Sequence, residues 1–310
     1  MQNKHLEHPE DSVISGDLNV LNWFTANGNI SAKIDGAPAI VWGTNPATNL
    51  FFVGTKSVFN KKLIKINHSH ADIDNNHQGQ VATILHHCFD NLPRSVTIYQ
   101  GDFIGFGGSN TYNPNTIRYF FSDKVQQKII IAPHTSYTAK CDLRDAIASP
   151  ISDQQLISLW QDAKDVMLVR PYVTIDYLRD TIHQSCKFAK QIATLCDFLD
   201  VKQVKRIKKQ LNTCIREGIE IDDITLEALA SDNNCDVNVL RLWQLVRTIK
   251  LDMFNYITVD DDIECYIEEE SCDHEGYVMS NEFGTFKIVN REGFSKANFN
   301  LSKMRVKGDA

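Results

Sequence analysis

Ser31-Ala32-Lys33-Ile34-Asp35-Gly36-Ala37-Pro38-Ala39-Ile40-Val41-Trp42 is the stretch on which the fold turns. Apolar and polar residues alternate up to Lys33, the pattern of a half-buried strand. Asp35-Gly36 predicts a turn, and Ala39 to Trp42 a returning strand. A lysine at the end of a strand, beside a tight turn, sits where backbone can approach a ligand closely. Held among other cations or beside a metal, such a lysine loses its proton and serves as a nucleophile. A bare Lys-x-Asp-Gly also fits an exposed hairpin with a solvated lysine, so the residues downstream decide.

Outward from that stretch, Leu50 to Val53 predicts a third strand leading into Gly54-Thr55-Lys56-Ser57, and the meander begins an antiparallel sheet. Residues 1–27 predict a helical lead-in, apolar-periodic from Val13 to Phe24. Gly79 to Leu92 predicts a helix with Val81, Ile84, Leu85 and Cys88 on one face. Ser95 to Gly108 is a strand entering a glycine-rich turn; it lacks the Gly-Lys-Ser/Thr ending of a phosphate-cradling loop. Its point of interest is Asp102, an acid in an otherwise apolar strand. Ile117 to Phe121 and Lys128 to Ala132 predict two more buried strands.

From Ile151 to Tyr256 the character is helical. Val204, Ile207, Leu211, Cys214 and Ile215 form an apolar stripe, with Lys202, Lys205, Arg206, Lys208 and Lys209 opposite. That basic side reads as a solvated face or as a surface that tracks phosphates. His274 to Met279 and Thr285 to Asn290 then form a hairpin turning at Asn281 to Gly284, with Glu275 on one arm and Lys287 on the other. His68, His70, His77, His86 and His87 crowd one stretch and read as loop and helix-surface residues, only the His68/His70 spacing suggesting a metal. Cys265, Cys272 and His274 lack a suitably spaced fourth zinc ligand.

The eight cysteines form no CxxC pair, so neither a disulfide framework nor a zinc ribbon is indicated. No apolar run reaches the length of a membrane span and the N-terminus lacks a signal-peptide core, so a cytoplasmic, non-membrane protein is expected. The net charge of −7 argues against nucleic acid only until its location is read, for it is local. Residues 260–275 hold nine acids and no Lys or Arg, and without them 30 acids face 32 basic residues.

With these residues placed, the chain resembles the covalent nucleotidyltransferases: the ATP-dependent DNA and RNA ligases and the mRNA capping enzymes. Lys33-Ile34-Asp35-Gly36 matches the nucleophile motif and Gln100-Gly101-Asp102-Phe103 the ribose-binding third motif. Phe120 or Phe121 stands where the family sets an aromatic against the base. Glu275-Gly276-Tyr277-Val278 is similar to the fourth motif and Phe286-Lys287-Ile288-Val289 to the fifth. His5-Leu6-Glu7-His8 and the stretch from Phe286 to Arg291 also look like uncharacterised tailed-phage members. The resemblance covers roughly residues 28–135 and 260–295.

It implies an α+β fold, an antiparallel-sheet, ATP-grasp-like ligase adenylation domain over 1–150 and 257–310, with a helical insertion at 151–256. Lys33 and Lys287 would be catalytic. Ala32, Ile34, Asp35, Gly36, Lys56, Asp102, Phe120, Phe121 and Arg291 would bind nucleotide, and Glu275 with Asp102 would hold Mg²⁺ or Mn²⁺. Through a lysyl-AMP on Lys33, ATP would drive joining of RNA or DNA ends, RNA slightly favoured, in the host cytoplasm if the source is viral. The basic helix and Lys303, Arg305 and Lys307 would meet the strand.

The chain departs from the family pattern in three places. Lys56 stands where relatives carry arginine, and Val289 replaces a second lysine that Arg291 or Lys296 would have to supply. The residues after Lys287 are too few for the OB-fold of DNA ligases and capping enzymes, so no C-terminal OB-fold is expected. GMP or AMP transfer to another acceptor, as in capping, and a catalytically weak nucleotide-binding protein on the same fold are the alternatives.

Overall fold

The computed structural model describes residues 6–176 and 179–294; Lys296 and the basic residues Lys303, Arg305 and Lys307 lie outside them. In chain order come α1 (Pro9–Val13), α2 (Asn19–Trp23), β1 (Asn29–Lys33), β2 (Ala39–Thr44), β3 (Phe51–Gly54), α3 (His70–Asn76), α4 (Gly79–Asn91) and β4 (Ile98–Phe106). β5 (Thr111–Tyr112), β6 (Arg118–Phe121), β7 (Ile129–Thr138), β8 (Ile147–Pro150), α5 (Asp153–Asp162), β9 (Val166–Leu168) and β10 (Tyr172–Ile175) follow. A helical run is then formed by α6 (Asp180–Ala193), α7 (Val201–Glu217), α8 (Asp223–Asn233) and α9 (Val237–Asp252). The last strands are β11 (Ile257–Asp260), β12 (Ile263–Ile267), β13 (Glu270–Ser271), β14 (Gly276–Asn281) and β15 (Gly284–Ile288). The class is α+β, and among the described strands every pairing is antiparallel except β7 with β9.

The chain divides into two compact units. One takes residues 34–170 and 262–271 and the other 6–33, 171–176, 179–261 and 272–294. In the first, the sheet order is β3-β2-β4-β7-β8, with β9 beside β7. The strand alternation sorts side chains to two faces. Trp42, Tyr99, Phe103, Ile129 and Ile131 pack with Ile84, Leu85 and Cys88 of α4 and Leu156 and Leu159 of α5. Val41, Phe52, Ile98 and Tyr137 form a second cluster with Leu143. A smaller sheet, β13-β12-β6-β5, completes the unit.

One expectation is corrected. Asp35-Gly36 does not turn β1 back onto β2: β1 pairs with β14 in the second unit, while β2 pairs with β3 and β4. After Gly36 the chain extends the β2–β4 ladder instead, because the Ala37 amide donates to the Phe103 carbonyl at 3.0 Å and the Phe103 amide to the Pro38 carbonyl at 3.1 Å. A Cβ on Gly36 would lie 2.8 Å from that Phe103 oxygen and 2.9 Å from the Asp102 Cβ, so glycine is what lets the segment lie on β4.

The second unit is built on the sheet β1-β14-β15. Tyr277, Met279, Phe286 and Ile288, with half-buried Ile30 and Ala32, join the core of Trp23, Phe24, Leu240, Trp243 and Val246. Trp23 Nε1 donates to the Met279 carbonyl at 3.2 Å, tying α2 to the sheet. The lead-in is two short helices because the chain between them turns at Gly16, whose φ is +84°. Asp200 caps α7, accepting from the amides of Lys202 and Gln203, and left-handed Gly218 closes it. Ile207, Leu211 and Ile215 bury its apolar stripe. Of residues 151–256, those up to 170 belong to the first unit, and α6 to α9 share the core of β14 and β15.

Gly276 has φ +127°, and an added Cβ would run into the Ile288 carbonyl across the β14–β15 ladder. Gly276→Ala should therefore cost roughly 3 kcal/mol of stability, read as a lowered midpoint in chemical denaturation.

Candidate functional site

Within the second unit the register sets out one polar face. Ser31 stands opposite Val278, Lys33 opposite Gly276, and Val278 opposite Lys287. Side chains two apart on a strand share a face, so Lys33, Ser31 and Lys287 lie together on the side away from Tyr277, Met279, Phe286 and Ile288. Ser280 and Thr285 are on the same side, their hydroxyls 2.8 Å apart. The Glu275 amide donates to the Lys33 carbonyl at 3.0 Å, and its carboxylate takes a short ion pair from Lys33 Nζ. The two side chains are 25% and 12% exposed, shielded yet reachable.

Lys287 is half-buried, and its amide donates to the Glu7 carbonyl at 3.1 Å. Burial lowers its ammonium pKa and the charge of Lys33 lowers it further, with Glu275 opposing. Among the described residues its Nζ takes no ion pair.

Behind this face lies a buried ionic network. Lys250 donates to Glu10 at 2.6 Å; Arg291 donates to Glu10 at 3.1 Å, to Asp11 at 3.0 Å and, closely, to Asn212. Trp243 Nε1 donates to Asp11 at 2.9 Å. Burial pushes the Glu10 carboxyl up, but Lys250 and Arg291 outweigh it and hold it below its ordinary value. Arg291, expected at the nucleotide, is 6% exposed and committed to this network. His8 Nδ1 is buried with no partner among the described residues. Burial first, and then Arg291 and Lys250, lower the His8 pKa to about 2.

The first unit holds the remaining expected residues. Asp35 is a buried structural carboxylate: it accepts from Asn115 Nδ2 at 2.8 Å and from the amides of Thr116 and Ile117 at 2.7 and 3.0 Å. Its own amide donates to the Tyr119 hydroxyl at 2.7 Å. Asp102, half-buried beside Gly36, stands 3.6 Å from His134 Nε2. Phe121 is buried edge-on to Tyr112, whereas half-buried Phe120 meets Tyr266 edge-on at 5.5 Å and lies under the Arg118 guanidinium. Lys56 is exposed at the start of a 3-10 turn. The network at Glu10 and the neighbour His134 were not anticipated. His134 sits where the β4–β7 register shifts, between the partners of Gln100 and Gly101, so strand alternation does not flag it.

The chain matches the model of a family of unknown function, DUF6267, over residues 3–227 and 222–303. It belongs to that family. No curated protein and no solved structure matches it. No described helix is long and apolar enough to cross a membrane.

Among the described residues no group of three or more His, Cys, Asp or Glu side chains is gathered to hold a metal ion. The single carboxylate of Glu275 on the polar face is nonetheless the kind of donor set Mg²⁺ uses, one or two carboxylates with phosphate oxygens and waters making up the rest.

Arg291→Met would leave Glu10 and Asp11 under-compensated in the core and should cost about 3–5 kcal/mol, read by urea denaturation. His8 stays neutral in the folded chain down to about pH 2, whereas the unfolded chain protonates it below its ordinary 6.5. Stability should therefore be lost as pH falls below 6.5. His8→Gln should flatten that part of the stability–pH curve between pH 7 and 5.

Proposed function

We propose that the chain is an ATP-dependent nucleotidyltransferase of the polynucleotide-ligase kind, with Lys33 as nucleophile. The observation that carries this reading is the pairing of Lys33 with Glu275 on the face that also presents Lys287. Lys33 Nζ, once deprotonated, attacks the α-phosphorus of ATP. A P–N bond forms, the bond to the β-phosphate oxygen breaks, and pyrophosphate leaves. Glu275 lies where it can take the ammonium proton. Lys287, held half-buried, stabilises charge on the α-phosphate oxygens as the transition state develops. A divalent ion at Glu275 would supply further neutralisation of phosphate and of the leaving group.

In the second step a 5′-phosphate oxygen of a polynucleotide attacks the same phosphorus, and the P–N bond breaks. In the third a 3′-hydroxyl displaces AMP to join the ends, RNA being the favoured substrate. On α7, Lys202, Lys205, Arg206 and Lys209 are exposed at helical spacing along one face, a shape suited to a phosphate backbone. A second reading, nucleotide binding without transfer, rests on Val289, a buried apolar residue where the covalent nucleotidyltransferases carry a second lysine.

The test is incubation of the purified chain with Mg²⁺ and ATP or GTP labelled at the α-phosphate, followed by denaturation. An acid-labile, alkali-stable adduct that disappears in Lys33→Ala is the expected result. Lys287→Ala should slow its formation about 100-fold or more. No adduct with either nucleotide, while the nucleotide still binds, would leave the binding reading in place.

A further inference from the structure

The α3–α4 pair carries an arrangement that none of the preceding chemistry uses. His70, the first residue of α3, and His86 of α4 stack with ring centroids 5.0 Å apart and planes 22° from parallel. Their Nδ1 atoms face each other at 2.7 Å. On the far side of each ring stands a carboxylate, with Asp90 3.0 Å from His70 Nε2 and Asp74 2.9 Å from His86 Nε2.

A carboxylate can only accept, so each Nε2 carries its ring's proton. A neutral imidazole has one N–H, which leaves both Nδ1 atoms presenting lone pairs to each other. At 2.7 Å two lone pairs repel unless a positive centre lies between them, either a shared proton or a metal cation. The outer carboxylates are the partners that ligating histidines carry, where they fix the tautomer and raise the basicity of the ligating nitrogen. Neighbouring groups are otherwise engaged: the Asp72 carboxylate accepts from the His68 amide while its own amide donates to Ser69 Oγ, and His87 packs against Phe106.

We infer that His70 and His86 form a binding site for a divalent transition-metal ion of the zinc class, ligated by the two Nδ1 atoms. Zinc–imidazole bonds of about 2.0–2.1 Å at a tetrahedral angle set the nitrogens roughly 3.3 Å apart, so the rings need part by only about 0.6 Å. Both rings are at the surface, the side chains 49% and 29% exposed, so waters complete the coordination. With only two side-chain ligands the site keeps open positions, and the ion pins α3 to α4.

The full-length chain, stripped with a chelator and dialysed, would be titrated with Zn²⁺ alone by calorimetry, folding being checked by circular dichroism. One equivalent is expected to bind, and His70→Gln and His86→Gln should each lose that binding. Asp74→Asn and Asp90→Asn, which keep both ligands, should weaken it about tenfold. His87→Gln and Cys141→Ser, the latter removing the exposed thiol, should leave it unchanged. No uptake by folded wild type, uptake that survives either histidine substitution, or uptake lost in Cys141→Ser would overturn the site.

Discussion

The second unit depends on a set of charges that cannot be left unpaired. Glu10 is fully buried, Lys250 and Arg291 nearly so, and an isolated ion in such surroundings would cost far more than a domain's whole stability. Two carboxylates, Glu10 and Asp11, therefore meet two cations, Lys250 and Arg291. The four come from α1, α9 and the segment after β15, and Asn212 of α7 and Trp243 of α9 fill the remaining hydrogen-bonding positions. The requirement that these groups pair fixes where the lead-in, the helical run and the last strand can sit within that unit.

Because that arrangement is long-range, little of it can be read locally. The strand character of β1 is visible in its alternation, and the helix at α4 and the apolar stripe of α7 come through for the same reason: a single face is buried and period reports it. Partnership is a different matter. Ala39 to Trp42 follows a glycine turn signal and invites a hairpin, but nothing local states that β1's partner lies more than 240 residues away at β14. The deciding contacts, Ala37 and Pro38 against Phe103, are backbone hydrogen bonds that carry no side-chain signature.

The ionic network hid for a related reason. Glu, Asp, Lys and Arg are exposed in most proteins, so charged residues in a short lead-in read as solvated. Asp35 shows the converse. Its place in Lys-x-Asp-Gly suggests ligand chemistry, while its carboxylate accepts three hydrogen bonds from residues 115–117 and organises that loop. Lys33 and Lys287 were readable because each ends or lines a strand and the register places them on one face; Glu275, just before β14, reaches that face through its ion pair with Lys33.

Charge accounting on that face gives the sheet its chemical character. Lys33 is matched by Glu275, and the acids behind the sheet are matched by Lys250 and Arg291. Glu7 is matched by Lys208 and Glu292 by Arg247. Lys287 is left with its ammonium half-buried and no ion-pair partner among the described residues, close enough to Lys33 that their charges oppose. A cation kept in that position is disfavoured in the resting protein and relieved by an arriving anion, the more so as water is displaced and the local dielectric falls. A phosphate bound there would gain from Lys287 and offset the repulsion between its charge and that of Lys33.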